Sequence, residues 1–136
     1  MDGLLIAPYH SGLIALLALA ALMVTQFLVA DVAGIRAKQV PGTPVVGGHG
    51  SFLFRATRTY ANSNENIGLL LLLVLVCFFT GAKPQSVNAA LWMYFATRGV
   101  FTVCYYANWR SLRSIAFGAS ALAQVALLIL ALRAVN

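Results

Sequence analysis

The chain has 136 residues, 61% of them hydrophobic and only 9% charged, with a net charge of +6. A soluble domain is about half apolar and about a quarter charged. A soluble fold is therefore excluded, as is disorder, and two cysteines are too few for a secreted disulfide scaffold. A polytopic membrane protein remains, and the length allows one domain over residues 1–136.

Crossing about 30 Å of hydrocarbon takes roughly 20 helical residues. The first candidate helix covers about 6–33, with no charge between Asp2 and Asp31. It lacks a positive leader and is too long for a signal-peptide core, so it reads as a mature helix. Residues 37–51, AKQVPGTPVVGGHGS, hold two prolines and four glycines and read as the one long, flexible loop. The second helix is expected over about 52–80; its uncharged stretch, 66–82, is short unless the helix begins near Phe52. A tight connection from Thr80 to Pro84 follows, with Pro84 suited to a helical first turn. The third helix is expected over about 85–108 and the fourth over about 112–134, joined tightly around Asn108 to Arg110.

The cations are unevenly placed. Arg36, Lys38, Arg55, Arg58, Arg110 and Arg113 gather around the first and third connections, while Lys83 and Arg133 lie towards the other side. By the positive-inside rule the first and third connections face the cytoplasm, and both termini face the opposite side. The basic residues form no run and no nucleic-acid motif, so the high pI is not read as a nucleic-acid signal.

Ionisable residues inside hydrocarbon cost on the order of 3 kcal/mol or more, so each is a functional hypothesis. Arg58, Glu65 and Arg98 all fall within predicted helices. In RATRTYANSNEN, residues 55–66, helical spacing lines up Arg55, Arg58, Asn62 and Glu65, with Asn66 beside Asn62. Such a ribbon must face protein rather than lipid. On the third helix, Arg98, Phe101 or Thr102, and Tyr105 recur at the same spacing, and Arg110 and Arg113 follow.

A structural account of each residue also exists. Glu65 and Arg98 could form a buried ion pair, and Trp92, Tyr105, Tyr106 and Trp109 could be interfacial anchors. Arg110 and Arg113 could be topology signals. Taken together, about five arginines around one intramembrane carboxylate call for an anion. Arginine binds carboxylate or phosphate bidentately. Glu65 adds a place for an ammonium group. Glutathione, with two carboxylates, one ammonium and a thiol, matches that inventory; inorganic phosphate or a lipid headgroup matches only the arginines.

The pattern Arg58-x3-Asn62-x2-Glu65 on the second of four helices resembles the signature of the MAPEG family, membrane-associated proteins in eicosanoid and glutathione metabolism. Arg98, Tyr105 seven residues on, and Arg113 with Ser114 at the start of the fourth helix extend the resemblance over essentially the whole chain. It implies an all-α integral membrane four-helix bundle, left-handed, assembled as a homotrimer. It also implies glutathione as co-substrate, bound between subunits near the cytoplasmic end by Arg58, Asn62, Glu65, Arg98, Tyr105 and Ser114. Arg113 would be the thiolate-stabilising catalytic residue, with Arg36 a second arginine near the thiol. A lipophilic electrophile would enter from the membrane lipid. Phe101 stands where many members carry tyrosine, Gly68 where the motif usually has proline, and Asn66 where an apolar or aromatic residue is common. The bend of the second helix is expected to differ accordingly.

Thiolate chemistry supports the role of Arg113, because nearby positive charge lowers a thiol pKa and a helix N-terminus adds to the effect. His10 and His49 are too separated for a metal site. Cys77 and Cys104 read as small buried hydrophobes. GGHG at 47–50 is only superficially a phosphate cradle. Two rival functions stand beside the glutathione reading. One is a non-catalytic accessory subunit that keeps the polar stripe for assembly. The other is a small membrane transporter using Glu65.

Overall fold

A computed structural model describes residues 7–136. Asp2 and the expected start of the first helix at residue 6 lie outside the described residues. Four helices follow in order: α1 (His10–Arg36), α2 (Phe52–Phe79), α3 (Pro84–Tyr106) and α4 (Arg110–Val135). Short 3-10 turns occupy Ala7–Tyr9 and Gly48–Gly50, and no strand occurs among the described residues. The protein is an all-α integral membrane four-helix bundle.

The helix ends follow local chemistry. α1 runs one turn past the expected end at 33, because no glycine or proline after Gly34 interrupts it before residue 41; Lys38 then turns the chain with φ 54°. Ser51 caps α2, its Oγ accepting from the Phe54 N–H at 3.4 Å. Gly81, at φ 68°, makes the reversal into Pro84, the first residue of α3. Asn108, at φ 61°, does the same between α3 and α4, which places the helix ends at 106 and 110 rather than 108 and 112. Gly68 introduces no break, and α2 is continuous for 28 residues.

α1, α2 and α4 are each long and apolar enough to cross a membrane. α3 is less uniformly apolar because it packs against both α1 and α4 and also touches α2, so its polar groups meet protein. At 23 residues it is about 35 Å long, enough to span the hydrocarbon. Large apolar side chains, including Leu17, Ile35, Phe79, Ile115 and Leu122, point outward. In water that surface would be untenable, whereas in a bilayer the lipid tails are its solvent.

The end of the bundle near Tyr9 and the α2–α3 turn is tied together by polar contacts. The Tyr9 hydroxyl donates to the Ala82 carbonyl. Gly12 N–H, one of the donors a helix N-terminus leaves free, donates to Asn88 Oδ1 at 3.0 Å. Asn88 Nδ2 donates to the Pro8 carbonyl, and Trp92 Nε1 donates to Ser11 Oγ. A Cβ at Gly12 would stand 2.6 Å from Asn88 Oδ1 and 2.8 Å from a Leu91 methyl, so glycine is what lets α1 approach α3 here. The main apolar core, with Leu19, Leu70, Val74, Leu91, Tyr94 and Leu127, fills this half. At the other end a smaller cluster of Phe101, Tyr105 and Ala116 leaves room for charge.

Candidate functional site

The polar residues divide into three groups. The first is inside the bundle. Arg98 is only 1% exposed. Its Nη1 donates to Asn62 Oδ1 at 2.9 Å and its Nη2 to Ser63 Oγ at 2.8 Å. Phe101 covers the guanidinium face, 4.4 Å from the ring centroid. Gln26 Nε2 donates to Thr102 Oγ1, which in turn donates to the Arg98 carbonyl. A buried cation without a counter-charge is costly. Two oxygen acceptors and a π face offset part of that cost.

The second group is on the flank of α2. Arg58 Nη1 lies 3.5 Å from Glu65 Oε1, and the two side chains are 46% and 56% exposed. The Glu65–Arg98 pair considered from sequence is therefore not formed. The helical period explains why. Positions 58 and 65 lie on one line, while 59, 63 and 70 lie on another, about a third of a turn away, and the second line faces the interior. Asn62 sits between them, half-buried, which is how it reaches Arg98.

The third group closes the end of the bundle where the first and third connections meet. Arg55 donates through Nη1 to the carbonyls of His49 (2.7 Å) and Gly50 (3.1 Å), and through Nε to the Tyr106 carbonyl (3.2 Å). One side chain of the expected anion-binding stripe is thus occupied in tying loop to helix end. Arg113, in the first turn of α4, lies over the Tyr105 ring with its guanidinium carbon 4.4 Å from the centroid. Its Nη1 is 3.3 Å from His49 Nδ1. His49 also meets Phe54 edge-on at 5.2 Å and Tyr105 at 5.8 Å between centroids. Residues 47–50, expected as part of a flexible loop, hold a 3-10 turn whose His49 docks on α2, α3 and α4. Partial burial first, and then the Arg113, Arg110, Arg55 and Arg58 charges, hold the His49 imidazole below its ordinary pKa of 6.5.

Of the residues singled out from sequence, Tyr105 and Arg113 meet directly, and Arg58 pairs with Glu65 on the open flank of α2. Arg98 and Asn62 face each other within the bundle. Ser114 is exposed and donates to the Arg110 carbonyl on its own helix. Arg36 lies apart, exposed, along a groove of about 690 Å³ lined by Thr25, Leu28, Val32, Ser51 and Leu53. A second apolar groove, about 770 Å³, runs between α3 and α4 past Gly99, Val103, Trp109 and Ile115. Neither groove is lined by the α2 pair. Among the described residues no cluster of three metal-ligating side chains occurs.

Ser63 escaped the sequence reading, which weighed His49 only as a metal ligand and as part of the glycine-rich loop. Ser63 could have been found by continuing the inward line of α2 from Thr59 by four residues. The docking place of His49 could not, since a glycine-rich loop has no period from which it can be read.

The fold and the polar cluster define a small integral membrane protein whose four-helix bundle carries charge at one end and on one flank. The sequence matches the profile of the MAPEG family over residues 13–133, and the chain belongs to that family. The family ties it to membrane-associated metabolism of glutathione and eicosanoids. No curated protein matches the chain at a significant level.

Proposed function

We propose that the chain binds glutathione as a homotrimer and, at a subunit boundary, transfers it to a lipophilic electrophile or uses it to reduce one. The observation that carries this reading is the Arg58–Glu65 pair, about half exposed on a helix that otherwise runs through lipid. An ion pair on that surface needs protein or ligand against it. Glutathione carboxylates suit Arg58, and its ammonium suits Glu65. Arg113, half-buried over Tyr105 at the N-terminus of α4, supplies a cation for a thiolate. In a transfer, the thiol proton leaves to solvent and the sulfur lone pair forms the new bond. The leaving group departs with its electrons; in a reduction, two glutathione molecules join as the disulfide and give the substrate two electrons and two protons. We assign the first and third connections, which Arg55 joins, to the cytoplasmic side.

Equilibrium binding of glutathione to the detergent-purified protein, with Glu65→Gln as control, tests the reading. Saturable binding that weakens at least about tenfold in the variant is the expected result. No binding at millimolar glutathione by folded, oligomeric protein overturns it.

A second reading, an accessory subunit without turnover, draws on a specific observation. Arg98 is satisfied by Asn62 and Ser63 within one chain and needs no ligand. Loss of assembly rather than of glutathione binding in Arg58→Gln would favour it.

A further inference from the structure

We propose that His49 is a positioning residue for Arg113, and that it acts as the neutral imidazole with the proton on Nε2. This inference rests on the glutathione reading above and adds to it the group that aims the thiolate-stabilising cation.

The geometry is specific. A guanidinium has donors only. Arg113 Nη1 at 3.3 Å from His49 Nδ1 therefore requires a lone pair on Nδ1. An imidazolium would set an N–H against an N–H, with like charges in contact. The Arg113 guanidinium is thus held on two sides. The Tyr105 ring lies beneath it at 4.4 Å, and the imidazole meets one edge. His49 is itself fixed from three directions: Phe54 of α2 and Tyr105 of α3 bracket the ring, and Arg55 grips the His49 carbonyl. The charges that act on it are those of Arg113 and Arg110 from α4 and Arg55 and Arg58 from α2, with no carboxylate among them. Every one of these charges favours the neutral ring. A flexible arginine given one rotamer this way keeps its remaining N–H donors directed at a fixed point. Such preorganisation is what electrostatic stabilisation of a developing anion requires.

The test reads the pKa of the glutathione thiol bound to the intact oligomer, followed by thiolate ultraviolet absorbance against pH. His49→Phe keeps a ring between Phe54 and Tyr105 but removes the acceptor, and His49→Asn restores an acceptor near the Nδ1 position. In His49→Phe the bound-thiol pKa is expected to rise by about half a unit or more, a threefold or greater loss of thiolate well below the pKa, with glutathione affinity changed little. His49→Asn is expected to recover most of the shift. Failure of the unsubstituted protein to bind glutathione overturns the functional reading and this one with it. Binding with an unchanged thiol pKa in His49→Phe overturns this inference alone. Should His49→Phe not fold, the imidazole of the unsubstituted protein and of Arg113→Gln is titrated by NMR. A His49 pKa that does not rise in Arg113→Gln also overturns the inference.

Discussion

Arg98 donates to Ser63 Oγ at 2.8 Å across the α2–α3 contact, although Arg98 is a cation with 1% of its surface exposed and Ser63 carries no charge. The buried arginine of this bundle is thus held by dipoles and an aromatic face, and the one carboxylate of α2 is used elsewhere. Charge inside the bundle and charge on its flank are consequently separate and can be altered separately.

Ser63→Ala is expected to destabilise the protein by about 1–3 kcal/mol, the cost of leaving a buried charged donor without an acceptor. Thermal unfolding in detergent would show the lower midpoint. Glutathione binding by the folded fraction should stay within about twofold, within about 0.4 kcal/mol, because Ser63 faces the interior.

Glu65→Gln should leave the fold of the protomer nearly unchanged, since the Glu65 side chain is 56% exposed and pairs only with Arg58 of its own helix. Glutathione binding should nevertheless fall at least about tenfold, or about 1.4 kcal/mol. Parallel measurement of the unfolding midpoint and of ligand affinity separates the two effects.

Arg113→Gln removes the cation over Tyr105. Turnover of a lipophilic electrophile should fall at least about tenfold, with the bound-thiol pKa up by about one unit and affinity within a few-fold. Arg113→Lys keeps the charge but loses the planar stacking and the fixed fork, so it should recover turnover only in part. Steady-state kinetics with the thiol titration would check both.

Gly12→Ala brings a methyl within 2.6 Å of Asn88 Oδ1. Asn88 cannot yield freely, because it holds both the Gly12 N–H and the Pro8 carbonyl. A loss of about 1–3 kcal/mol is expected from overpacking, seen as a lowered unfolding midpoint, with Gly34→Ala, where the nearest atom is 3.9 Å away, close to neutral.

Stability should depend on pH through His49. Its folded pKa lies below 6.5, so the unfolded chain binds the proton more readily. The stabilisation is fully present above about pH 6.5 and is lost as pH falls from there through the folded pKa. The unfolding midpoint of the native protein should decline over that acid range, and His49→Asn should flatten the decline. An equal slope in both proteins would refute the assignment.

Much of this architecture is legible in the chain itself. Long apolar runs, prolines and glycines between them, and Asn108 at a tight turn specify four helices, three of them long and apolar enough to cross a membrane, since a helix satisfies its own backbone in lipid. Arg58, Asn62 and Glu65 were visible as residues that hydrocarbon does not tolerate without cause. What the period alone could not say is which of them turn inward. That depended on the rotation of α2 against α3, and it put Arg98 with Asn62 and Ser63 and left Glu65 to Arg58. The place of His49 was decided only by tertiary structure. A loop residue takes its environment from elements distant in sequence, and its contact with Arg113, 64 residues on, exists only once α2, α3 and α4 have packed.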